Sequence, residues 1–221
     1  MKYSFYGMLL FICLTLTSCF EIIEDITQHQ DGSGSYKFIV NLSQSKNQID
    51  KIRTQDSILR FKVPKQSDID ARIAEVKTKI STIKGISNVQ VKQDNSNYLY
   101  QISCDYSNIH ALNTAIYNIW KMYDKNAPAA FDLYSYDKNI FKRNVTSTYI
   151  DHIIKNAGSQ EVDMCLKATY TIICRFDTPI TNNSSMNYTL SPSKKGALYK
   201  NDVWSTLTDN SKSNNTMTLT P

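Results

Sequence analysis

Alternating apolar and polar positions predict a β-hairpin at the start of the body of the chain. Residues 20–30 have a strand pattern, and an Asp-Gly-Ser-Gly turn at 31–34 leads into a second strand with one apolar face, formed by Tyr36, Phe38, Val40 and Leu42. A two-residue period is typical of strands that bury one face. The turn lacks the ligand spacing of a calcium loop and the lysine of a phosphate loop, which favours a plain tight turn over an ion-binding one.

A second hairpin is predicted over residues 86–92 and 98–106. Its second strand places five side chains on one side: Tyr98, Tyr100, Ile102, Cys104 and Tyr106. Tyrosine combines an apolar ring with a polar hydroxyl, which suits a ligand cleft and equally suits a strand packed beneath a helix. Tyr98 and Tyr100 are therefore the candidate ligand-cleft residues, and core packing is the alternative that the pattern favours.

Helices are expected to cover these strands. Residues 68–84 predict an amphipathic helix, capped by Ser67 and ended by Gly85, with one apolar stripe: Ile69, Ile73, Val76, Ile80 and Ile83. The narrow stripe favours packing on a core over lying on a membrane. Further helices are predicted over three ranges, the second of them capped by Ser107: 47–60, 108–123 and 149–155.

The second half of the chain predicts more strands. Residues 131–136 and 140–145 form a hairpin pattern, and a long alternating strand is expected over 166–176. From about residue 180 the composition shifts to Asn, Ser and Thr, with weak strands at 187–190, 197–208 and 216–220, which indicates a loosely held edge sheet or a partly disordered tail. The fold class expected is α+β: an antiparallel sheet built from hairpins with three or four covering helices, in one domain over residues 19–221.

The first eighteen residues have the layout of a secretory leader. Lys2 precedes an apolar run over residues 7–16, which at about 1.5 Å per residue is too short to cross roughly 30 Å of hydrocarbon. Ser18, a small residue, stands just before the expected cut. Residues 1–18 are therefore predicted to be removed, which leaves Cys19 as the new N-terminus. If the leader is a plain secretory one, Cys19 is an ordinary cysteine.

Leu16-Thr17-Ser18-Cys19 resembles the lipobox of bacterial lipoproteins. The resemblance implies that Cys19 is the lipid attachment site and that acyl chains such as palmitate hold the protein on a membrane, for which two chains are sufficient. Phe20 stands where an aspartate would imply inner-membrane retention, so the same resemblance implies a lipid-anchored protein of the bacterial cell envelope, at the outer membrane and next to the periplasm. An acidic stretch at 21–25 loosely matches surface-export signals of Bacteroidetes lipoproteins.

Three further motifs resemble an uncharacterised family of Bacteroidetes outer-membrane lipoproteins: Cys-Phe-Glu-Ile-Ile-Glu at 19–24, Asp-Gly-Ser-Gly at 31–34 and Asn-Leu-Ser-Gln-Ser at 41–45. The resemblance is strongest over residues 16–125. More distantly, the order of lipobox, strand, Asp-Gly turn and strand, with a late Trp204, is similar to LppM-type lipoproteins. That resemblance implies a shared architecture and a role in binding lipid or glycolipid, but it supplies no binding residues, and the polar C-terminal part departs from it.

Composition and charge exclude several classes of protein. With 41% hydrophobic and 20% charged residues, the chain can fill a core. The whole chain has 25 Lys and Arg residues and 20 Asp and Glu residues, a net charge of +5. If Lys2 is removed with the leader, the net charge is +4. These basic residues form no stripe, and the densest runs are only Lys142-Arg143 and Lys194-Lys195, so no nucleic-acid partner is expected.

The residues that usually carry catalysis or bind metal are scattered. His29, His110 and His152 lie in unrelated segments without metal-ligand spacing, and the chain has no nucleophile elbow, dinucleotide fingerprint or Walker loop. We therefore expect no catalytic residues, no metal, no cofactor and no enzymatic activity.

Three cysteines remain beyond Cys19, an odd number for an oxidising compartment. If Cys165 and Cys174 both lie on the long strand, they are roughly 30 Å apart and face opposite sides, and a disulfide needs Cα atoms within about 7 Å. Cys104 and Cys174 lie on apolar faces. They are expected to be buried free thiols, with a bridge between them as the alternative.

Three functions fit this sequence. The first is an anchored binding or interaction lipoprotein whose partner is a lipid, a glycan or an envelope protein. The second is a structural envelope lipoprotein without a small ligand, and the third is an anchored hydrolase. A cleft of several hundred Å³ lined by Tyr98, Tyr100 and apolar groups would favour the first, and ionisable groups converging in a pocket would favour the third.

Overall fold

The computed structural model describes residues 20–55, 57–58, 61–123, 132–145 and 159–221. The strands are β1 (Glu21–Gln28), β2 (Gly34–Asn41), β3 (Ser57–Ile58), β4 (Phe61–Lys62), β5 (Ile86–Asp94), β6 (Leu99–Tyr106), β7 (Tyr134–Asp137), β8 (Ile140–Arg143), β9 (Thr169–Phe176), β10 (Ile180–Asn183), β11 (Tyr188–Leu190), β12 (Gly196–Asp202) and β13 (Asn215–Leu219). The helices are α1 (Lys46–Ile52), α2 (Gln66–Ser81), α3 (Ile109–Tyr123), α4 (Ser159–Lys167), α5 (Val203–Thr208) and α6 (Asn210–Ser213). The α+β class is confirmed.

The larger sheet has seven strands in the order β11-β12-β9-β1-β2-β6-β5. Its neighbours are antiparallel except at the centre, where β1 and β9 run parallel with Glu21 opposite Thr169. Hairpins alone give only antiparallel pairs, so the sequence pattern did not predict this parallel pair. Two parallel neighbours need a long crossover connection, and here the connection runs from residue 29 to residue 168.

A second sheet of four strands, in the order β10-β13-β8-β7, packs over part of the larger one. Phe141 on β8 lies against Phe176 on β9, with ring centroids 5.3 Å apart. Tyr134 on β7 meets Tyr36 on β2 at 6.4 Å. The main core lies between these two sheets, and a smaller cluster of buried side chains lies between α2, α3 and the larger sheet.

The three predicted hairpins are confirmed as β1–β2, β5–β6 and β7–β8. In the last one, Lys138 and Asn139 both have positive φ angles, +48° and +62°, as a two-residue type I′ turn requires. In the first, Gly32 has a φ of +91°. Gly34 is needed for a different reason, because a Cβ there would lie 2.3 Å from the Tyr106 hydroxyl.

The predicted helices at 68–84 and 108–123 are confirmed, with different caps. At the start of α2 the carboxylate of Asp68 accepts a hydrogen bond from the backbone N–H of Lys65 at 3.1 Å, so the helix begins before Ser67. At the start of α3, Asn108 rather than Ser107 accepts from the backbone N–H of Ala111, at 3.0 Å. The helix predicted over 47–60 ends at Ile52. The predicted helix over 149–155 lies outside the described residues.

The long strand predicted over 166–176 begins three residues late. Residues 159–167 form α4, where Val162 and Cys165 share a half-buried face at helical spacing and Leu166 is exposed. The strand geometry assumed for Cys165 is therefore wrong. Within the described part of the chain, Cys104, Cys165 and Cys174 form no disulfide. Burial of Cys104 and Cys174 is confirmed, and the alternative bridge between them is not formed.

After residue 180, the expectation of edge strands is confirmed for β10 and β11, which are the outer strands of their sheets, whereas the alternative of a partly disordered tail is wrong. β13 lies inside the second sheet, paired with both β10 and β8, and buries Met217 and Leu219 completely or nearly so. Residues 203–208 are helical because Asp202 caps them, its carboxylate accepting from the backbone N–H of Ser205 at 2.6 Å. Polar side chains here bond partly buried backbone groups rather than indicating disorder: Asn214 accepts from the backbone N–H of Val145, and Asn215 from that of Ser185.

Residues 1–19, which hold the predicted leader and Cys19, lie outside the described residues. Within the described ranges, the helices are too short or too polar for any of them to cross a bilayer.

Candidate functional site

The inner face of the larger sheet, which looks toward the second sheet and α2 and α3, has two differently filled parts. On β9 and β12, which we call the packed half, Ile172 and Cys174 are fully buried and Tyr199 nearly so. On β2, β6 and β5, which we call the hollow half, the corresponding side chains are only half-buried: Tyr36, Phe38, Val40, Tyr100, Ile102 and Val91. Apolar side chains that point inward and stay half-exposed indicate a space above them.

That space is a partly enclosed cavity of about 620 Å³. Its floor is formed by apolar side chains of β1, β2, β6 and β5, and its roof by α2 and α3: Ile73, Val76, Ile80, Ala115, Ile116, Ile119 and Trp120. The helix α2 packs chiefly along the edge strand β5, so the cavity lies beneath the helices over the middle of the sheet. From β5 to β9 it crosses about 19 Å, at about 4.8 Å per strand. Ligand sites are usually of about 300–1,000 Å³.

The cavity opens at the end of the sheet where β1 begins. Ile22, Val40 and Tyr100 lie opposite one another across β1, β2 and β6 at this end, and we call them the rim row. All three are half-buried, whereas Ile26 and Cys104, four residues further along β1 and β6, are buried. The roof follows the same trend.

Along the roof, burial falls toward the same end. On α3, Leu112 is fully buried and Trp120 half-buried, and on α2, Ile80 is buried and Ile73 half-buried. Because α3 follows β6 and runs back along the sheet, Trp120 lies at the rim end. The burial trends on β1, β6, α2 and α3 therefore agree, and they place the opening of the cavity at the end where β1 begins.

A buried ion pair stands in the cavity wall next to the packed half. The guanidinium of Arg143, at the end of β8, lies 3.3 Å from the carboxylate of Glu24 on β1, and both side chains are about 5% exposed. Arg143 Nη1 also donates to the hydroxyl of Ser213 at 2.9 Å. Tyr134 Oη donates to Glu24 Oε2 at 2.5 Å, and Tyr170 Oη donates to Glu24 Oε1.

The environment of Glu24 keeps it ionised. Burial by itself raises the pKa of this carboxyl, but the Arg143 charge and the hydrogen bonds from Tyr134 and Tyr170 outweigh burial and hold the pKa below its ordinary value. Burial and the Glu24 charge raise the pKa of both tyrosines well above the usual range. Each Glu24 oxygen already accepts two hydrogen bonds. The cluster is therefore a neutral, saturated wall and offers no free nucleophile or base.

Sequence reasoning missed this pair, although a signal was present. On β1 the inner face reads Ile22, Glu24, Ile26, so an acidic residue stands between two apolar ones. A carboxylate at such a position requires a partner, because an unpaired buried charge is costly. The partner, Arg143, was noted only as part of a short Lys-Arg run that forms no basic stripe.

The two tyrosines predicted for a ligand cleft separate in the structure. Tyr100 belongs to the cavity wall, whereas Tyr98 does not. Tyr98 is a turn residue with a φ of +54°, and it donates a hydrogen bond to Asp50 at 2.5 Å. Its ring also contacts the charged ends of Lys46 and Arg53, at 5.3 and 5.6 Å. The period-two pattern that grouped it with Tyr100 fails because the strand begins only at Leu99.

At the rim, the hydroxyl of Tyr100 lies beside the side chain of Gln66. Both polar groups are buried. Burial raises the pKa of the Tyr100 hydroxyl, and its interaction with the Gln66 side chain partly offsets this shift.

Cys104 is a thiol in the cavity wall. It is 6% exposed, and burial, followed by the nearby Asp105 charge, raises its pKa to about 11. It is therefore protonated and weakly nucleophilic at neutral pH. Elsewhere, His29 pairs with Asp177 at 2.9 Å on the surface, and His110 is exposed on α3. Among the described residues, no three His, Cys, Asp or Glu side chains are grouped as a metal site would need.

Comparison with known proteins gives one weak structural likeness. No family model and no curated protein matches the chain. The fold is similar to the NMR structure of the folded domain of LppM, a protein of Mycobacterium tuberculosis, with a TM-score of 0.43 and 11% sequence identity, over 90% of this chain and 87% of that one. A similarity of this extent assigns the chain neither a family nor a function.

Proposed function

We propose that this protein binds a lipid-like ligand by enclosing an acyl chain in the cavity between the larger sheet and α2 and α3. The observation that carries the proposal is the partly enclosed, mainly apolar space of about 620 Å³ inside the fold. It crosses about 19 Å of the sheet. One leaflet of a bilayer has a hydrocarbon thickness of roughly 15 Å, half of the full core, so an extended lipid chain fits this length.

The energetics of such binding are favourable. Each methylene that leaves water contributes about 0.8 kcal/mol, so about a dozen buried methylenes contribute roughly 10 kcal/mol before the costs of ordering. Micromolar affinity needs about 8 kcal/mol. Ordering costs of about 4 kcal/mol or more are subtracted from this gain, so chain burial supplies the larger part of the free energy of micromolar binding and longer chains should bind more tightly.

The polar groups of the cavity favour an uncharged chain inside and a polar group at the rim. Glu24 and Arg143 neutralise each other and use their hydrogen-bonding capacity on protein partners. A charged group of a ligand would gain little from them and would lose its hydration. At the rim, the Tyr100 hydroxyl can donate to an ester or hydroxyl oxygen of the ligand.

The proposal includes a lipid anchor on Cys19 and a place in the bacterial cell envelope, at the outer membrane. Its support is the lipobox-like sequence at residues 16–19 and the secretory leader before it. The role is binding rather than catalysis. A purely structural envelope protein would need no cavity of this size, since unfilled apolar space of this kind destabilises a fold.

The test is a pair of matched substitutions in the secreted Cys19→Ser protein. Ile102→Trp fills the cavity floor, and Ile39→Trp places the same side chain on the opposite face of the neighbouring strand. The probe is a polyene fatty acid that fluoresces in apolar surroundings. Ile102→Trp should weaken binding at least tenfold, and Ile39→Trp should change it less than twofold.

Native mass spectrometry of the lipidated protein purified from its own membrane gives a second readout. A bound species with the mass of a lipid is expected. If no lipid is retained and the wild-type protein does not bind the fatty acid, the proposed function is wrong.

A further inference from the structure

The opening of the cavity lies at the end of the molecule where β1 begins, and the predicted anchor, Cys19, comes just before β1 in the sequence. Ile22, a member of the rim row, is the second residue of β1. Cys19 is three residues earlier, and three residues span at most about 11 Å whatever their conformation. The attachment point is therefore next to the mouth of the cavity.

We infer that the mouth faces the bilayer on which Cys19 holds the protein, and that the ligand chain enters the cavity directly from that bilayer. This inference rests on the proposed function and on lipidation of Cys19. It adds the source of the ligand, which is a lipid of the anchoring membrane, and the route that the chain takes.

The length of the tether carries the inference. A diacylglycerol thioether on Cys19 keeps the sulfur at the level of the lipid headgroups, a layer of about 5–8 Å in each leaflet. With at most about 11 Å between Cys19 and Ile22, the rim row stays at or beside this layer. A chain leaving the bilayer then passes from hydrocarbon to an apolar cavity with little exposure to water, which removes the main barrier to extraction.

The side chains at the rim suit a membrane interface. Trp120 lies at this end of the roof, and tryptophan is enriched at headgroup level, where its ring is apolar and its N–H polar. Lys121 follows it, with its ammonium 5.8 Å from the ring of Tyr117. The far end of the sheet, by contrast, has the buried Gln28 and Tyr106 across the inner face, hydrogen-bonded to each other at 3.1 Å.

The experiment lengthens the tether and leaves the body of the protein unchanged. Lipidated protein is reconstituted in vesicles that contain a phospholipid with a photoactivatable diazirine acyl chain. Cross-links to peptides of the cavity wall, such as those holding Ile102 and Val76, are quantified by mass spectrometry against time. One variant has twenty Gly and Ser residues inserted between Cys19 and Phe20. The control has the same insertion after the fully exposed Met186.

The expected result follows from effective concentration, which falls as about the −3/2 power of tether length. Lengthening the tether from three to twenty-three residues should slow cavity cross-linking about twentyfold, and the control insertion should leave the rate within twofold. Equal rates for both tethers would overturn the inference and leave the proposed function standing, provided the secreted protein still binds the fatty acid. If the wild-type cavity never cross-links and the fatty acid does not bind, the proposed function itself fails.

The chain on Cys19 is a competing occupant that the same method identifies. Cells are fed a diazirine palmitate, which labels the anchor, and the purified protein is irradiated. Cross-links from the anchor to the cavity wall within one molecule would show that the cavity holds the protein's own acyl chain, and the inference of a membrane ligand would be wrong. Cross-links confined to phospholipids support it.

Discussion

The packed and hollow halves of one sheet face show how little a strand pattern says about what covers it. On β9, Ile172 is fully buried beneath the second sheet, whereas Ile102 on β6 has the same alternation in sequence and stays half-exposed beside a cavity. Both side chains point inward. The difference lies in the cover, which is a closely packed sheet with large aromatic side chains over one half and two helices standing off the other. Alternation therefore predicts the direction of a side chain but not its burial.

The ion pair at the boundary between the halves gives the largest predicted effect. Arg143→Met leaves the carboxylate of Glu24 buried without its charged partner, so we expect a loss of about 3–5 kcal/mol in the free energy of unfolding. Urea denaturation of the secreted protein measures it. The double variant Glu24→Gln with Arg143→Met should recover most of this loss. A double variant as unstable as the single one would mean that the pair acts through packing rather than charge.

Alanine substitutions in the two halves test the comparison directly. Ile172→Ala opens a new void in a filled core and should cost about 2–5 kcal/mol. Ile102→Ala only enlarges an existing cavity, so its cost should be about 1 kcal/mol. This is about half the transfer free energy of the deleted methyl and methylene groups, because Ile102 is already partly exposed. Equal losses in urea denaturation would contradict the assignment of a hollow half.

The alternation of the main strands was visible in the sequence for both halves, but the elements that cover the packed half were not. The hairpins β1–β2 and β5–β6 and the helices α2 and α3 are local elements, so their periodicity predicts them. The packed half depends on partners far apart in the chain. β13 and β8 pair across about seventy residues, and the parallel pair of β1 and β9 is more distant still. Short polar strands such as β13 carry a weak pattern, because their stability comes from both neighbours.

The candidate site divides in the same way. Tyr100 was predicted from local alternation, and the cavity wall includes it. Glu24 and Arg143 meet only when β8 is laid over β1, so neither residue has a local signal of pairing beyond its unusual apolar neighbours. The cavity itself is a property of helix placement, which no residue pattern in α2 or α3 specifies.

The stability of the protein in acid should depend on the ion pair between Glu24 and Arg143. The pKa of Glu24 in the folded protein lies below its ordinary value of 4.5, so its ionised form stabilises the fold fully above pH 4.5. This contribution is lost as the pH falls from 4.5 through the folded pKa, with a slope of at most about 1.4 kcal/mol per pH unit for one proton. Urea denaturation at several pH values measures it.

The control for acid stability is the Glu24→Gln and Arg143→Met double variant, which keeps the other titrating carboxylates. Asp31, Asp94 and Asp177 are exposed carboxylates with lowered pKa values, held by hydrogen bonds, and they contribute to the slope in both proteins. The wild-type curve should be steeper than the control below pH 4.5. Identical slopes would mean that Glu24 does not gain or lose its proton on folding in this range.

The alkylation rates of two buried thiols test the difference between the halves, and this test needs almost no change in stability. Cys104 belongs to the cavity wall and Cys174 to the packed half, with pKa values raised by burial to about 11 and about 12. In a Cys165→Ser background, a small alkylating reagent should modify Cys104 first, because it can enter the cavity without unfolding, and Cys174 only at the rate of global opening. Saturating fatty acid should slow Cys104 alone. Equal alkylation rates for both thiols, with or without fatty acid, would mean that the space over β6 is closed to small molecules in solution. The hollow half would then be no more accessible than the packed half.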